Sequence, residues 1–205
     1  ESAALSLVLT VFWVLFVTNA FNLLDNMDGL SAGVATIAGA LFLIIALQNG
    51  QLFVAAFLAV FVGALLGFLR YNFPPARLFM GDAGSLSAGM LLGWLGLWGS
   101  ATEGINPLLW LLPMSPFLLD SGVTLVQRFR RGERLTEAHS SHSYQRLARR
   151  WGSHQRVVLA LLTLHLLWLL PLAMLAGSRG LSPELALLLA LLPQTVVMAK
   201  SAAFE

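Results

Sequence analysis

Asp25 and Asp28 stand three residues apart in the stretch NLLDNMDGLSAG, with Asn22 before them, Asn26 between them and the glycines Gly29 and Gly33 after them. If the segment forms a helical turn, both carboxylates share one face, with Asn22 one step before them. Two acids held close repel each other unless a cation or several donors compensate. Hard oxygen ligands of this kind suit Mg2+, or the hydroxyls and amides of a polar ligand. The competing reading is helix capping, an ordinary use of Asp and Asn at a loop–helix boundary.

A second cluster is FPPARLFMGDAGSLSAG. Pro74 and Pro75 stiffen the approach, Gly81 and Gly84 bracket Asp82, and Ser85 opens the next apolar block. An aspartate in a glycine-flanked turn can project toward a metal, while the free N–H groups of a first helical turn face an anion. Asp82 could equally cap the helix that follows. The third cluster is RFRRGERLTEAHSSHSYQRLARRWGSHQR, where His139 and His142 are three apart and Tyr144, Gln145 and Arg146 follow. A basic loop with histidines can hold a pyrophosphate or anionic lipid headgroups. Two histidines alone do not make a metal site, and most of these arginines need no explanation beyond membrane topology. His165 reads as a packed, hydrogen-bonded histidine within an apolar run. Asp120, also within such a run, is expected to form a structural bridge with an inward arginine such as Arg128.

The elements that must position these groups are apolar helices. The chain has 205 residues, 58% hydrophobic and only 11% charged, with a mean hydropathy of +0.79. A soluble domain carries roughly 25% charged residues, so this is an integral membrane protein. A spanning helix needs about 20 mostly apolar residues. Seven candidates are predicted, at 3–21, 32–48, 52–70, 83–100, 107–127, 157–177 and 181–199. The blocks are continuous rather than alternating, so helices are expected and a β-barrel is not. Gly39, Gly63, Gly67, Gly89 and Gly93 fall partly at four-residue spacing, a pattern of close helix packing. With no cysteine there is no disulfide framework and no thiolate metal site. The fold class is therefore all-α: one polytopic helix bundle over 1–205, with no separate soluble domain.

Alternating the connections between two sides gathers eleven of the twelve Lys and Arg residues on the side that carries 22–31, 70–82, 128–156 and the C-terminus. The positive-inside rule makes that side cytoplasmic. Asp25, Asp28 and Asp82, three of the four aspartates, fall there too, as do His139, His142 and His154. Ionisable groups near membrane depth mark a site, and here separate segments converge on one face.

Three motifs in this order, NAFNLLDNMDGLSAG, YNFPPARLFMGDAGSLSAG and RRGERLTEAHSSHSYQRLARR, resemble the polyprenyl-phosphate N-acetylhexosamine-1-phosphate transferases. FMGDAGS is the most specific piece, and AHSSHSYQRL looks closer to the O-antigen-initiating branch than to the peptidoglycan translocase. The resemblance implies transfer of a sugar 1-phosphate from a UDP-sugar to undecaprenyl phosphate, with release of UMP and a requirement for Mg2+ or, in its place, Mn2+. It implies a multi-pass protein of the bacterial inner membrane that works at the start of cell-envelope glycan synthesis. By position, Asp82 matches the metal-binding aspartate, while Asn22, Asp25 and Asp28 match residues around the nucleotide and the catalytic centre. Asn72 matches an asparagine that helps hold the diphosphate, and His139 and His142, with Arg146 beside them, match the histidine loop near the phosphates. Expected partners are the donor, the lipid phosphate and membrane lipids, with no nucleic acid; homodimerisation through small-residue faces stays open.

One departure stands out. The family carries an Asp-Asp pair on an earlier loop and about ten or eleven spans, whereas no Asp-Asp occurs here. The chain is thus expected to be the C-terminal part of a larger bundle lacking about four spans, which puts its activity on its own in question. Two other readings are a non-catalytic remnant of the family and a membrane transporter that uses cytoplasm-facing acids.

Overall fold

The computed structural model describes residues 3–103, 105–134, 142–178 and 180–202. Among the described residues ten α-helices run in the order α1 (Ala3–Leu24), α2 (Leu30–Gln48), α3 (Leu52–Asn72), α4 (Gly81–Glu103), α5 (Pro107–Leu111), α6 (Ser115–Arg130), α7 (Ser143–Trp151), α8 (His154–Leu164), α9 (Leu170–Gly177) and α10 (Pro183–Ala202). There is no strand among the described residues, as the continuous apolar blocks predict.

The count of seven spans is not reproduced. Among the described residues five segments are long and apolar enough to cross a membrane: Ala3–Leu24, Leu30–Gln48, Leu52–Asn72, Pro107–Arg130 and His154–Gly177. The other two candidates do form helices. In α4, however, glycines and serines dilute the hydropathy, and the apolar part of α10, Pro183–Ala199, is short.

Prolines explain where the long segments break. A proline in a helix lacks the N–H for the carbonyl four residues back, and its ring crowds that carbonyl. Between α5 and α6 the chain tightens into a 3-10 turn at Leu112–Met114, which contains Pro113, and Pro116 sits in the first turn of α6. Between α8 and α9 it widens into a π turn at His165–Leu169, just before Pro171. Such turns are the usual accommodation when the helical ladder loses a donor.

The central element is α2, buried along most of its length and packed chiefly on α3, while α1 packs chiefly on α4. Helices in lipid gain little from apolar transfer, so association rests on close packing and a few hydrogen bonds. Gly96 and Gly99 make room for Trp110, whose ring meets Phe42 edge-on at 4.2 Å and 80°. Gly93 faces Val17, and its carbonyl accepts the Trp13 indole N–H at 3.0 Å. At Gly89 a Cβ would lie 2.8 Å from Thr18 Cα and 2.9 Å from Phe21 Cβ. Gly39 is similarly close to Val62 and Phe61. Close packing thus holds at three of the five spaced glycines. Around Gly63 and Gly67 a Cβ would meet nothing within 4 Å.

This contrast gives a paired test. Gly89→Ala forces a backbone shift between α1 and α4 and is expected to destabilise the bundle by about 1–3 kcal/mol. Gly63→Ala and Gly67→Ala should be neutral or stabilising by up to about 1 kcal/mol, the helix-propensity difference. Thermal unfolding in detergent, followed by circular dichroism, distinguishes the two outcomes.

Candidate active site

The first acid segment is a turn rather than a continued helix. α1 stops at Leu24, and the chain reverses over 25–29, with bonds from Asp25 N–H to Asn22 O at 3.2 Å and from Leu30 N–H to Met27 O at 3.1 Å. Gly29 ends the turn at φ +76°, a left-handed conformation that glycine adopts without steric cost. Its N–H donates to Asn72 Oδ1 at 2.9 Å. Asn72, 3% exposed at the last position of α3, donates in turn from Nδ2 to Leu78 O at 2.9 Å. The Ala76 N–H donates to Asp28 Oδ2 at 3.0 Å. Through these bonds the proline-rich loop 73–80 is laid directly on the acid turn.

The start of α4 meets the same turn. Gly81 stands at φ +61°, again a glycine position, and its N–H donates to the Asp25 carboxylate. Asn22 Nδ2 donates to Asp82 Oδ1 at 3.0 Å and to Ser85 Oγ at 3.1 Å, and the Ser85 hydroxyl donates to Gly81 O at 3.1 Å. The capping reading fails in its local form. At the head of α2 the cap is Gly29, with no side-chain bond, while Asp25 and Asp28 take N–H groups from Gly81 and Ala76. The two acids therefore tie distant segments together instead of closing their own helix.

Crowding shows in the electrostatics. Burial pushes the Asp25 carboxyl up to about 6; the charges of Asp82 and Asp28 push the same way, and the Gly81 N–H opposes them. Three carboxylates therefore share one mouth, with Asp82 the exposed member.

Residues 135–141, and with them His139, lie outside the described residues. His142 is 1% exposed and turned into the bundle, its Nδ1 2.7 Å from Asp120 Oδ2. Asp120 Oδ1 also accepts the Ser143 N–H at 2.9 Å and the Ser143 hydroxyl. This corrects the expected Asp120–Arg128 bridge. Eight residues along one helix is a rise of roughly 12 Å, and Arg128 instead bonds Glu133 Oε2 at 2.9 Å and Arg134 O at 2.5 Å. Arg146 lies on α7, one turn beyond His142 and partly buried. His165 matches its expected role: Nδ1 is 2.7 Å from Leu161 O, and the ring stacks on Phe117 at 5.2 Å.

Sequence reasoning missed Ser85, Ser143 and Tyr144. The Tyr144 hydroxyl donates to Leu23 O at 2.9 Å and accepts from Asn26 Nδ2 at 3.0 Å. One signal was available: an ionisable residue inside a span needs a partner from the nearest polar segment, which for Asp120 is the histidine loop. For Tyr144 and Ser85 the sequence offers no comparable cue.

Among the described residues no three His, Asp or Glu side chains form a ready-made metal cluster. The donor set nonetheless fits Mg2+, which is commonly held by one or two carboxylates and completed by substrate phosphates and water. The crowding of Asp25, Asp28 and Asp82 is the charge excess such an ion would relieve.

Two outcomes test this geometry. Asn72→Ala leaves the buried Gly29 N–H without its acceptor, which is expected to cost about 1–3 kcal/mol, visible as a lower melting temperature in detergent. The folded protein holds the Asp25 proton more tightly than the unfolded chain, so the stability linked to it is present below about pH 4 and lost as pH rises through about 6. Asp25→Asn should therefore raise the melting temperature relative to the parent at neutral pH and do so less in mild acid.

The family description Glycosyl transferase family 4 matches residues 2–100. A protein of Bacillus subtilis (strain 168) named probable undecaprenyl-phosphate N-acetylglucosaminyl 1-phosphate transferase is 34% identical over 156 residues, covering 75% of this chain and 43% of that protein. The phospho-N-acetylmuramoyl-pentapeptide-transferase of Desulforudis audaxviator is 38% identical over 178 residues, covering 84% of this chain and 50% of its own length. That of Limosilactobacillus fermentum is 49% identical over 82 residues, covering 40% of this chain and 26% of the relative. The chain thus spans half or less of the relatives it matches. Within that span lie the acid turn, the proline loop and the glycine-flanked Asp82, and on these matches the chain belongs to glycosyl transferase family 4.

Proposed function

We propose that this chain is part of an enzyme that transfers an N-acetylhexosamine 1-phosphate from a UDP-sugar to undecaprenyl phosphate, releasing UMP. It would act at the cytoplasmic face of the bacterial inner membrane, at the first step of a cell-envelope glycan, with the O-antigen type favoured by its histidine-loop sequence. The observation that carries this reading is the meeting of Asp25, Asp28 and Asp82 where three separate segments join. Relatives named as sugar-phosphate transferases support it. A transporter would place coupling acids near the middle of the membrane, whereas these three sit at helix ends.

In this reading an oxygen of the lipid phosphate attacks the phosphorus that bears the sugar. A new P–O bond forms, the bond to the bridging oxygen breaks, and UMP leaves with that oxygen. Donor, acceptor and transition state are all anionic, so catalysis is chiefly positioning and neutralisation of charge. Mg2+ bound at Asp82 would neutralise diphosphate oxygens and the departing UMP. Asn22 holds the Asp82 carboxylate from the α1 side and so orients it. Asp28 and Asn72 fix the loop 73–80 that forms one wall. Arg146 on α7, with His139 of the same basic loop, supplies positive charge for phosphate oxygens.

Asp82→Asn in the whole protein, assayed in membranes with radiolabelled UDP-N-acetylhexosamine and undecaprenyl phosphate, is expected to reduce transfer by roughly 100-fold or more. Membrane insertion should be unchanged, and chelation of divalent metal should silence the parent. Mg2+-dependent UMP release at the parent's rate in Asp82→Asn would overturn the metal role.

A further inference from the structure

Asp120 is 2% exposed, inside a segment apolar enough to span a membrane. A carboxylate in that setting needs donors, and Asp120 takes them from the start of α7: His142 Nδ1 at 2.7 Å, the Ser143 N–H at 2.9 Å and the Ser143 hydroxyl. The His142 ring lies nearly parallel to the Tyr144 ring, with centroids 5.3 Å apart and planes 11° apart. Tyr144 is itself buried, and its hydroxyl is bonded both to Leu23 O, in the last turn of α1, and to Asn26, which sits between Asp25 and Asp28. Burial, and then the Asp120 charge, hold the phenol well above its usual range. The hydroxyl therefore keeps the proton it donates to Leu23.

These contacts form one continuous path from the middle of α6 to the acid turn. α7 has only nine residues, too few to hold a position by its own helical propensity. Where its first turn lies is thus set by what its side chains bond. We propose that Asp120 and Tyr144 are positioning residues, whose relay Asp120–His142–Tyr144–Asn26 fixes the cationic helix α7 against the turn bearing Asp25 and Asp28. The relay sets the separation of the basic and acidic halves of the phosphate site. Its catalytic consequence rests on the functional reading above, whereas its geometry does not.

The test uses the whole protein in membranes with two mild variants and their combination. Tyr144→Phe keeps the ring stacked on His142 and removes the hydroxyl; Asp120→Asn keeps an acceptor for Ser143 and removes the charge. Each is expected to lower kcat by roughly tenfold or more, as misplacement of intact groups does. KM for the UDP-sugar should stay within about twofold, since no group that would touch the donor is lost. The double variant should lose little more than the worse single one, because neighbours in one network are not additive. A purely structural role would instead lower the folded fraction at unchanged kcat per folded molecule, and that result, or losses that multiply, would overturn the relay.

A second readout separates the relay from the proposed activity. Spin labels at Phe79→Cys and Trp151→Cys, both exposed positions, report the distance between the loop laid on the acid turn and the end of α7. The parent should give one narrow distribution, and both variants a broader one. Unaltered widths in both variants overturn the relay whether or not the protein transfers sugar phosphate. Absence of transfer in the parent, with broadening in the variants, overturns the functional reading and leaves the relay standing.

Discussion

An aspartate buried within an apolar helix, or partly buried at its end, is short of water, so the chain itself must bring donors, and that requirement decides where the segments meet. Asp28 is met by the Ala76 N–H, Asp25 by the Gly81 N–H, Asp82 by the Asn22 amide and Asp120 by the first residues of α7. Every donor comes from a different segment from that of its acceptor. Apolar packing in lipid is weakly directional, whereas a buried polar group left unmatched costs several kcal/mol. A few acids therefore specify the arrangement of one end of the bundle more sharply than the many leucines do.

The same groups that hold the segments together lie at the mouth of the site. Asp28 and Asn72 spend their polar atoms on Ala76, Gly29 and Leu78, which makes them fasteners between the acid turn and the proline loop. Asp82 is more exposed and bonded from one side by Asn22, which leaves it the acid best placed to face a ligand. A reaction among phosphates needs negative groups to hold a cation and positive groups to hold the phosphates, kept apart yet near. Under the proposed function the first set would be the acids of the α1–α2 turn and α4, and the second the basic residues of α7.

Hydropathy made the helices legible, because long apolar runs are unambiguous, and it put the acids at helix ends. Two expected spans fell short for compositional reasons: Gly and Ser in α4, and the short apolar part of α10. Glycine spacing could say which residues share a helix face but not which face has a neighbour, so Gly89 and Gly39 pack while Gly63 and Gly67 face open space. Residue type points to Asn22, Asp25, Asp28 and Asp82, and the family resemblance to Asn72; these five side chains meet at one junction. Its wiring was not. Asp120 pairs with a residue 22 positions away rather than with the arginine two turns along its own helix, since a hydrogen bond is decided by separation in space and the sequence records only separation along the chain.

The near-contact of α1 and α4 at Gly89, together with the Trp13 bond to Gly93, has a mechanical consequence. Two helices interlocked so closely cannot slide or roll past each other without a clash, so they act as a single strut. Asn22 and Asp82 stand at the same end of that strut and keep a fixed spacing whatever the rest of the bundle does. Any change in separation between the acid turn and α7 falls instead on single hydrogen bonds, those of the Tyr144 hydroxyl with Leu23 and Asn26.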